Sequence, residues 1–147
     1  MNEQLSGREL DKAIALALGY YVKKRRIIAP DGNPVKVATH GIGRFSEDVE
    51  LREVVGDDDF LWAHAPAFHA DANAVIDVCA ARGWELRYEL DHSEEVTSYV
   101  AWVETDEMRP DRYGRLTNEY DGRSAKSWQE AAARALLAAL TAEAAQP

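Results

Sequence analysis

The chain has 147 residues, 46% hydrophobic and 29% charged, which fits a single folded domain burying roughly 70% of its unfolded surface. Its net charge of −9 argues against a duplex nucleic-acid partner, whose phosphates need a basic surface. The single cysteine, Cys79, excludes an internal disulfide or a Cys-rich metal site, and the chain shows neither an apolar run of about 18 residues nor a signal-peptide pattern in "MNEQLSGREL", so a soluble cytoplasmic protein without a membrane partner is predicted.

"LSGRELDKAIALALGYY" predicts the first helix. Ser6 and Glu9 have the spacing of a capping box, Leu10, Ile14, Ala17 and Leu18 form an apolar stripe, and Gly19 supplies a left-handed stop. Residues 20–38 predict a basic hairpin. Tyr20 to Ala29 is its first arm, "PDGNP" its turn and Val35 to Ala38 a short second arm. Within the first arm, "KKRR" should alternate, with Lys23 and Arg25 on one side and Lys24 and Arg26 on the other. Residues 44–60, "RFSEDVELREVVGDDDF", read as a solvated acidic loop. They lack the ligand spacing of a calcium loop.

A second helix is predicted from about Ala70 to Arg82, with Ala72, Val75, Ile76 and Cys79 on one face and Gly83 as its stop. Cys79 in that stripe reads as a small buried hydrophobe. "WELRYELD" alternates as a half-buried strand, "HSEEVT" turns, and "SYVAWVET" follows. This last segment is apolar on both faces, which places it centrally in the sheet. "DEMRPDRYGRLTNEYDGR" is a long polar loop, with a short strand allowed over Arg115 to Tyr120. Ser127 and Glu130 open the third helix as a second capping box, and Ala131, Ala135, Leu136 and Leu140 can face the sheet. Single helices between antiparallel strands give an α+β class.

Three blocks, "LSGRELDKAIALALGY", "WAHAPAFHADANAVIDVC" and "SWQEAAARALLAAL", taken in that order, resemble the phage ABA-sandwich domain family. That family opens on a "GRELD…A…LG" helix, starts its middle helix at "P-x-Y-S-x-D" and closes on an "…A…ARAL…AL" helix. Phe68 stands where the family usually has tyrosine, and His69 where it usually has a capping serine. The 20–38 hairpin looks like an insertion. The resemblance implies a bacteriophage or prophage origin and a single three-layer α/β/α sandwich over residues 1–147, with a mostly antiparallel sheet and three main helices. It carries over no catalytic residue.

Chemistry was sought first around His64, His69 and Asp71. Zinc prefers ligands at i and i+4 on one helix face. These three precede or open the helix, so a helix-start role is predicted, with ligand contact by His69 as the functional alternative. No nucleophile elbow is present, and "HGIGRF" lacks the P-loop lysine. No catalytic residue, metal or cofactor is predicted. Arg109, Arg112, Tyr113, Arg115, Tyr120 and Arg123 interleave guanidinium forks with aromatic rings, a pattern suited to phosphate and to base stacking. If they met Lys24 and Arg26 in space, they would make a small anion pocket.

The predicted function is a non-enzymatic phage accessory protein that binds a small phosphorylated ligand and sequesters a host nucleotide immune signal. The ligand residues are Arg109, Arg112, Tyr113, Arg115, Tyr120, Arg123, Lys24, Arg26 and His69. Two alternatives stay open: an acidic module that blocks a basic groove on a host protein, and a nucleotide hydrolase. Self-association is open as well.

Overall fold

The computed structural model describes residues 5–40, 49–92, 97–111 and 113–144. In chain order the elements are α1 (Gly7–Leu18), β1 (Tyr21–Lys23), β2 (Arg26–Ile28), β3 (Lys36–His40), β4 (Val49–Glu53) and α2 (Asp58–Trp62). Then come α3 (Ala72–Arg82), β5 (Glu85–His92), β6 (Thr97–Pro110), β7 (Leu116–Ser124) and α4 (Trp128–Ala144). The fold is α+β with four helices among the described residues, and every sheet is antiparallel. None of these helices is long and apolar enough to cross a membrane. The chain forms two compact units, Met1–Ala17 with Pro66–Pro147, and Leu18–Ala65.

In the smaller unit, β1 and β2 form one ribbon and β3 and β4 another. The "KKRR" segment is therefore not one strand. Lys24 and Arg25 form the turn between β1 and β2, both in the left-handed region with φ of 51° and 61°, so the predicted four-residue alternation is lost. A two-residue turn of this hand matches the twist of its flanking strands, which is why the chain reverses here despite side chains that disfavour positive φ. The "PDGNP" turn also forms. Ala29 N–H donates to Asn33 O, and Asp31 Oδ1 accepts from Asn33 N–H at 2.9 Å. That bond holds the Asp31 carboxyl below its usual range. The predicted second arm meets the first arm only at its start, where Val35 N–H donates to Ile27 O at 2.9 Å, and from Lys36 on it pairs with β4.

From Val49 on, the acidic stretch forms regular structure rather than a solvated loop. Residues 44–48, like most of "HGIGRF", lie outside the described residues. Val49–Glu53 is β4, and Asp57 caps α2 by accepting Phe60 N–H. Glu53 pairs with Arg26 at 2.7 Å. Ile27, Ile28, Val54, Leu61, Trp62 and Ala65 are this unit's buried apolar side chains among the described residues.

In the larger unit, the sheet order is β5-β6-β7 with β6 in the centre, as its two apolar faces require. The polar segment after Thr105 is not a loop. It completes β6, bulges between Glu104 and Arg109, turns, and returns as β7. The turn expected at "HSEEVT" falls at residues 93–96, outside the described residues. Cross-strand register places Leu86, Tyr88, Tyr99, Ala101, Val103, Tyr120 and Gly122 on one face. This is the face that meets α4. Trp128 stacks edge-on to Tyr88 and to Tyr99, each at 5.0 Å. A Cβ on Gly122 would run into Ala131 O and Ala135 N. Glycine on the strand and alanine on the helix let two backbones approach this closely. Ala131, Ala135, Leu136 and Leu140 are buried there as predicted.

Helix α3 ends at Gly83 with φ of 72°, and Trp84 N–H reaches back to Cys79 O at 2.8 Å, a Schellman closure. Val75 and Cys79 are buried, but Ile76 is 44% exposed, so the α3 stripe is narrower than predicted. In α1 the buried face is Leu10, Asp11, Ile14 and Ala15, while Ala17 is exposed. An aspartate, rather than Ala17, occupies the core side.

Candidate functional site

The five described residues of the six predicted Arg and Tyr ligands do not form a common pocket. Arg112 lies outside the described residues. Arg109 sits in β6 and pairs with Glu107 at 3.2 Å. Tyr113 and Arg115 are exposed in the β6–β7 turn, where Asp111 Oδ1 takes both of their main-chain N–H groups. Tyr120 and Arg123 both lie in β7, three residues apart, and so project from opposite faces of the sheet. Arg123 binds Asp91 at 2.6 Å, and that bond raises its guanidinium above the ordinary value. Arg109 and Arg123 thus already have carboxylate partners. Lys24 and Arg26 belong to the other unit, with Lys24 in the turn and Arg26 held by Glu53.

His64, His69 and Asp71 take three separate roles. His64 Nδ1 bonds Phe60 O at 2.9 Å. Asp71 is the N-cap of α3 and accepts Asn73 N–H. Among the described residues, no group of three or more His, Cys, Asp or Glu is placed to hold a metal. His69 is not the helix cap. Its main-chain N–H donates to Asp11 Oδ1 at 2.8 Å, and its Nδ1 lies 2.7 Å from Asp11 Oδ2.

Asp11 is fully buried, with Arg8 Nη1 at 3.5 Å from Oδ2. An ionised carboxylate only accepts hydrogen bonds, so Nδ1 must carry a proton. In the neutral imidazole, Nε2 is then a bare acceptor. In the imidazolium it becomes a second donor.

The His69 side chain is 27% exposed and borders a cleft of about 540 Å³. The cleft is also bordered by Ser6 and Gly7 at the start of α1, and by Lys126, Ser127 and Glu130 at the start of α4. Local sequence explains this convergence. Ser127 Oγ accepts Glu130 N–H at 3.1 Å, the predicted half of the capping box. The other half differs from expectation. Glu130 accepts from Ser124 Oγ at 3.0 Å and pairs with Arg134 at 2.9 Å. Ser124 Oγ in turn accepts the main-chain N–H groups of Lys126 and Ser127. Arg134 also donates to Leu5 O and Arg123 O, tying the chain before α1 to β7 and α4.

Two helix starts and a lysine border the cleft. Each helix N-terminus contributes about half a positive charge, and Lys126 forms no ion pair among the described residues. The two nearby carboxylates, Asp11 and Glu130, are both engaged.

No family model, curated protein or solved structure matches the chain. The geometry of the cleft therefore carries the functional reading.

Sequence reasoning missed Asp11, Lys126 and Arg134. The signal for Asp11 was present: it lies one and four residues from Leu10 and Ala15, inside the buried stripe, where a carboxylate needs a partner. Lys126 and Arg134 carried no such signal.

Proposed function

We propose that the protein is a non-enzymatic phage accessory protein that captures a small phosphorylated ligand, such as a nucleotide signal, in the host cytoplasm. The observation that carries this reading is the cleft in which His69, Lys126 and the first turns of α1 and α4 meet. A helix N-terminus attracts an anion through its dipole, Lys126 adds a full charge, and protonated His69 adds a donor at Nε2. The volume suits a mononucleotide-sized molecule better than a polymer.

The resemblance supports the phage assignment. Asp11 ends the "GRELD" block and His69 opens the middle helical block, and these two residues bond to each other. A three-layer sandwich belongs to the same reading.

One observation favours hydrolysis as a second reading. An imidazole oriented at Nδ1 by a buried carboxylate presents Nε2 as a general base. Titration calorimetry with inorganic phosphate and a panel of cyclic nucleotides, followed by product analysis, separates the two. Capture without turnover is expected, with Lys126→Ala weakening affinity about tenfold, a loss of about 1.4 kcal/mol. Absence of heat with every ligand would refute capture, and products in the mixture would favour hydrolysis.

A further inference from the structure

The sheet face opposite α4 carries Glu85, Arg87, Glu89 and Asp91 from β5. Val100, Trp102 and Glu104 follow from β6, and Glu119, Asp121 and Arg123 from β7. Two ion pairs span it from one outer strand to the other. Arg123 reaches Asp91 at 2.6 Å, and Arg87 reaches Glu119 at 2.8 Å. The outer strands are about 9.6 Å apart, two strand spacings, so each pair must cross over β6. The first crosses near Val100, which is only 2% exposed. Arg87, Glu119, Asp91 and Arg123 themselves stay 47–49% exposed, so the face is open to solvent.

Between the two crossings lies a slot of about 280 Å³, bordered by Trp102, Glu89, Arg87 and Glu119. Arg87 and Asp121 flank Trp102 in register. Carboxylates outnumber guanidiniums on this face. Among the described residues, Asp121 has only the 3.8 Å approach of Arg123, and Glu104 only the 3.9 Å approach of Arg87.

We propose that this face docks a basic protein segment, one lysine or arginine of which enters the slot over Trp102. An indole face attracts a cation, and flanking carboxylates fork onto a guanidinium. The slot fits one long side chain rather than a drug-sized molecule. Exposed ion pairs contribute little stability, so an incoming arginine can take Glu119 from Arg87 at small cost. The chain's negative charge steers a basic partner toward it. This surface is separate from the His69 cleft and does not depend on the ligand reading.

The test uses the full chain and a hexa-arginine peptide, with hexa-glutamate as control. Fluorescence titration at 50 mM salt should show binding to hexa-arginine only, weakened at least tenfold at 500 mM. Trp102→Leu and the pair Glu89→Gln with Asp121→Asn should each lower affinity about fivefold or more, with unchanged thermal midpoints. Neutralising Asp58 and Asp59 in α2 should leave it unchanged. Calorimetry repeats the Trp102→Leu measurement, since that variant loses a reporter. Absence of binding would overturn the proposal. So would affinity indifferent to the face variants, or lowered equally by the α2 variants.

Discussion

Replacing Asp11 tests whether its pairing with His69 organises the cleft. The carboxylate is fully buried and accepts two short hydrogen bonds, one from the His69 main-chain N–H and one from Nδ1. Asp11→Ala removes both and leaves the N–H without an acceptor. Losing two hydrogen bonds to a charged group costs roughly 3–5 kcal/mol, a large share of the about 5–15 kcal/mol that holds a domain folded. His69→Ala keeps the main-chain bond to Asp11 and loses only the imidazole, so about 1–2 kcal/mol is expected. Asp11→Asn is the most informative change. Its carbonyl oxygen can still accept the main-chain N–H, but its amide now faces Nδ1. The imidazole must switch tautomer and present Nε2–H to the cleft. That variant should cost about 1–2 kcal/mol, retain anion capture and abolish any general-base activity. Urea unfolding followed by tryptophan fluorescence measures the stabilities. A loss under about 1 kcal/mol for Asp11→Ala, or equal losses for Asp11→Ala and His69→Ala, would refute this account.

Three further outcomes follow from the packing and the turns. Gly122→Ala should lower stability by about 3 kcal/mol or more, because the added methyl meets the α4 backbone rather than a movable side chain; thermal denaturation reads it. Lys24→Asn with Arg25→Gly should raise the unfolding midpoint of the smaller unit, since each left-handed position in a non-glycine residue costs roughly 1 kcal/mol. Burial pushes the Cys79 thiol up to about 11 from 9.0, so the folded state holds its proton where the unfolded state has lost it. Stability from this group is present below pH 9 and falls as pH rises from about 9 to 11. Cys79→Ala should flatten that decline in an unfolding series, and the native thiol should resist thiol reagents at pH 8.

Periodicity made the main scaffold legible. Alternation in "WELRYEL", the two-faced apolar run "SYVAWV" and the alanine-rich helix after Ser127 all sit where their patterns place them. Two kinds of information were hidden. The first is turn geometry without turn residues: "KKRR" has no glycine or asparagine, and only the pairing of Tyr21 with Ile28 and of Lys23 with Arg26 reveals the reversal. The second is partner choice. Arg123 read as an anion ligand in sequence because the acid that binds it lies 32 residues away. His69 stood out near the helix start, but its partner, Asp11, lies 58 residues upstream.

Counting arginines overstates the capacity of an acidic chain to bind anions. The predicted arginines Arg109 and Arg123 form ion pairs, and so does Arg87. Two helix N-termini meet beside Lys126, which forms no ion pair among the described residues. Backbone dipoles cannot be neutralised by a neighbouring carboxylate without blocking the helix start itself, and Ser127 and Ser124 occupy part of the α4 start with neutral hydroxyls instead. The open sheet face shows the opposite outcome, with carboxylates in excess over their arginines. The two surfaces therefore make opposite demands. Saturating phosphate should leave hexa-arginine affinity unchanged, and Lys126→Ala should weaken only the former. If phosphate displaced the peptide, the two sites would not be independent and the charge partition argued here would fail.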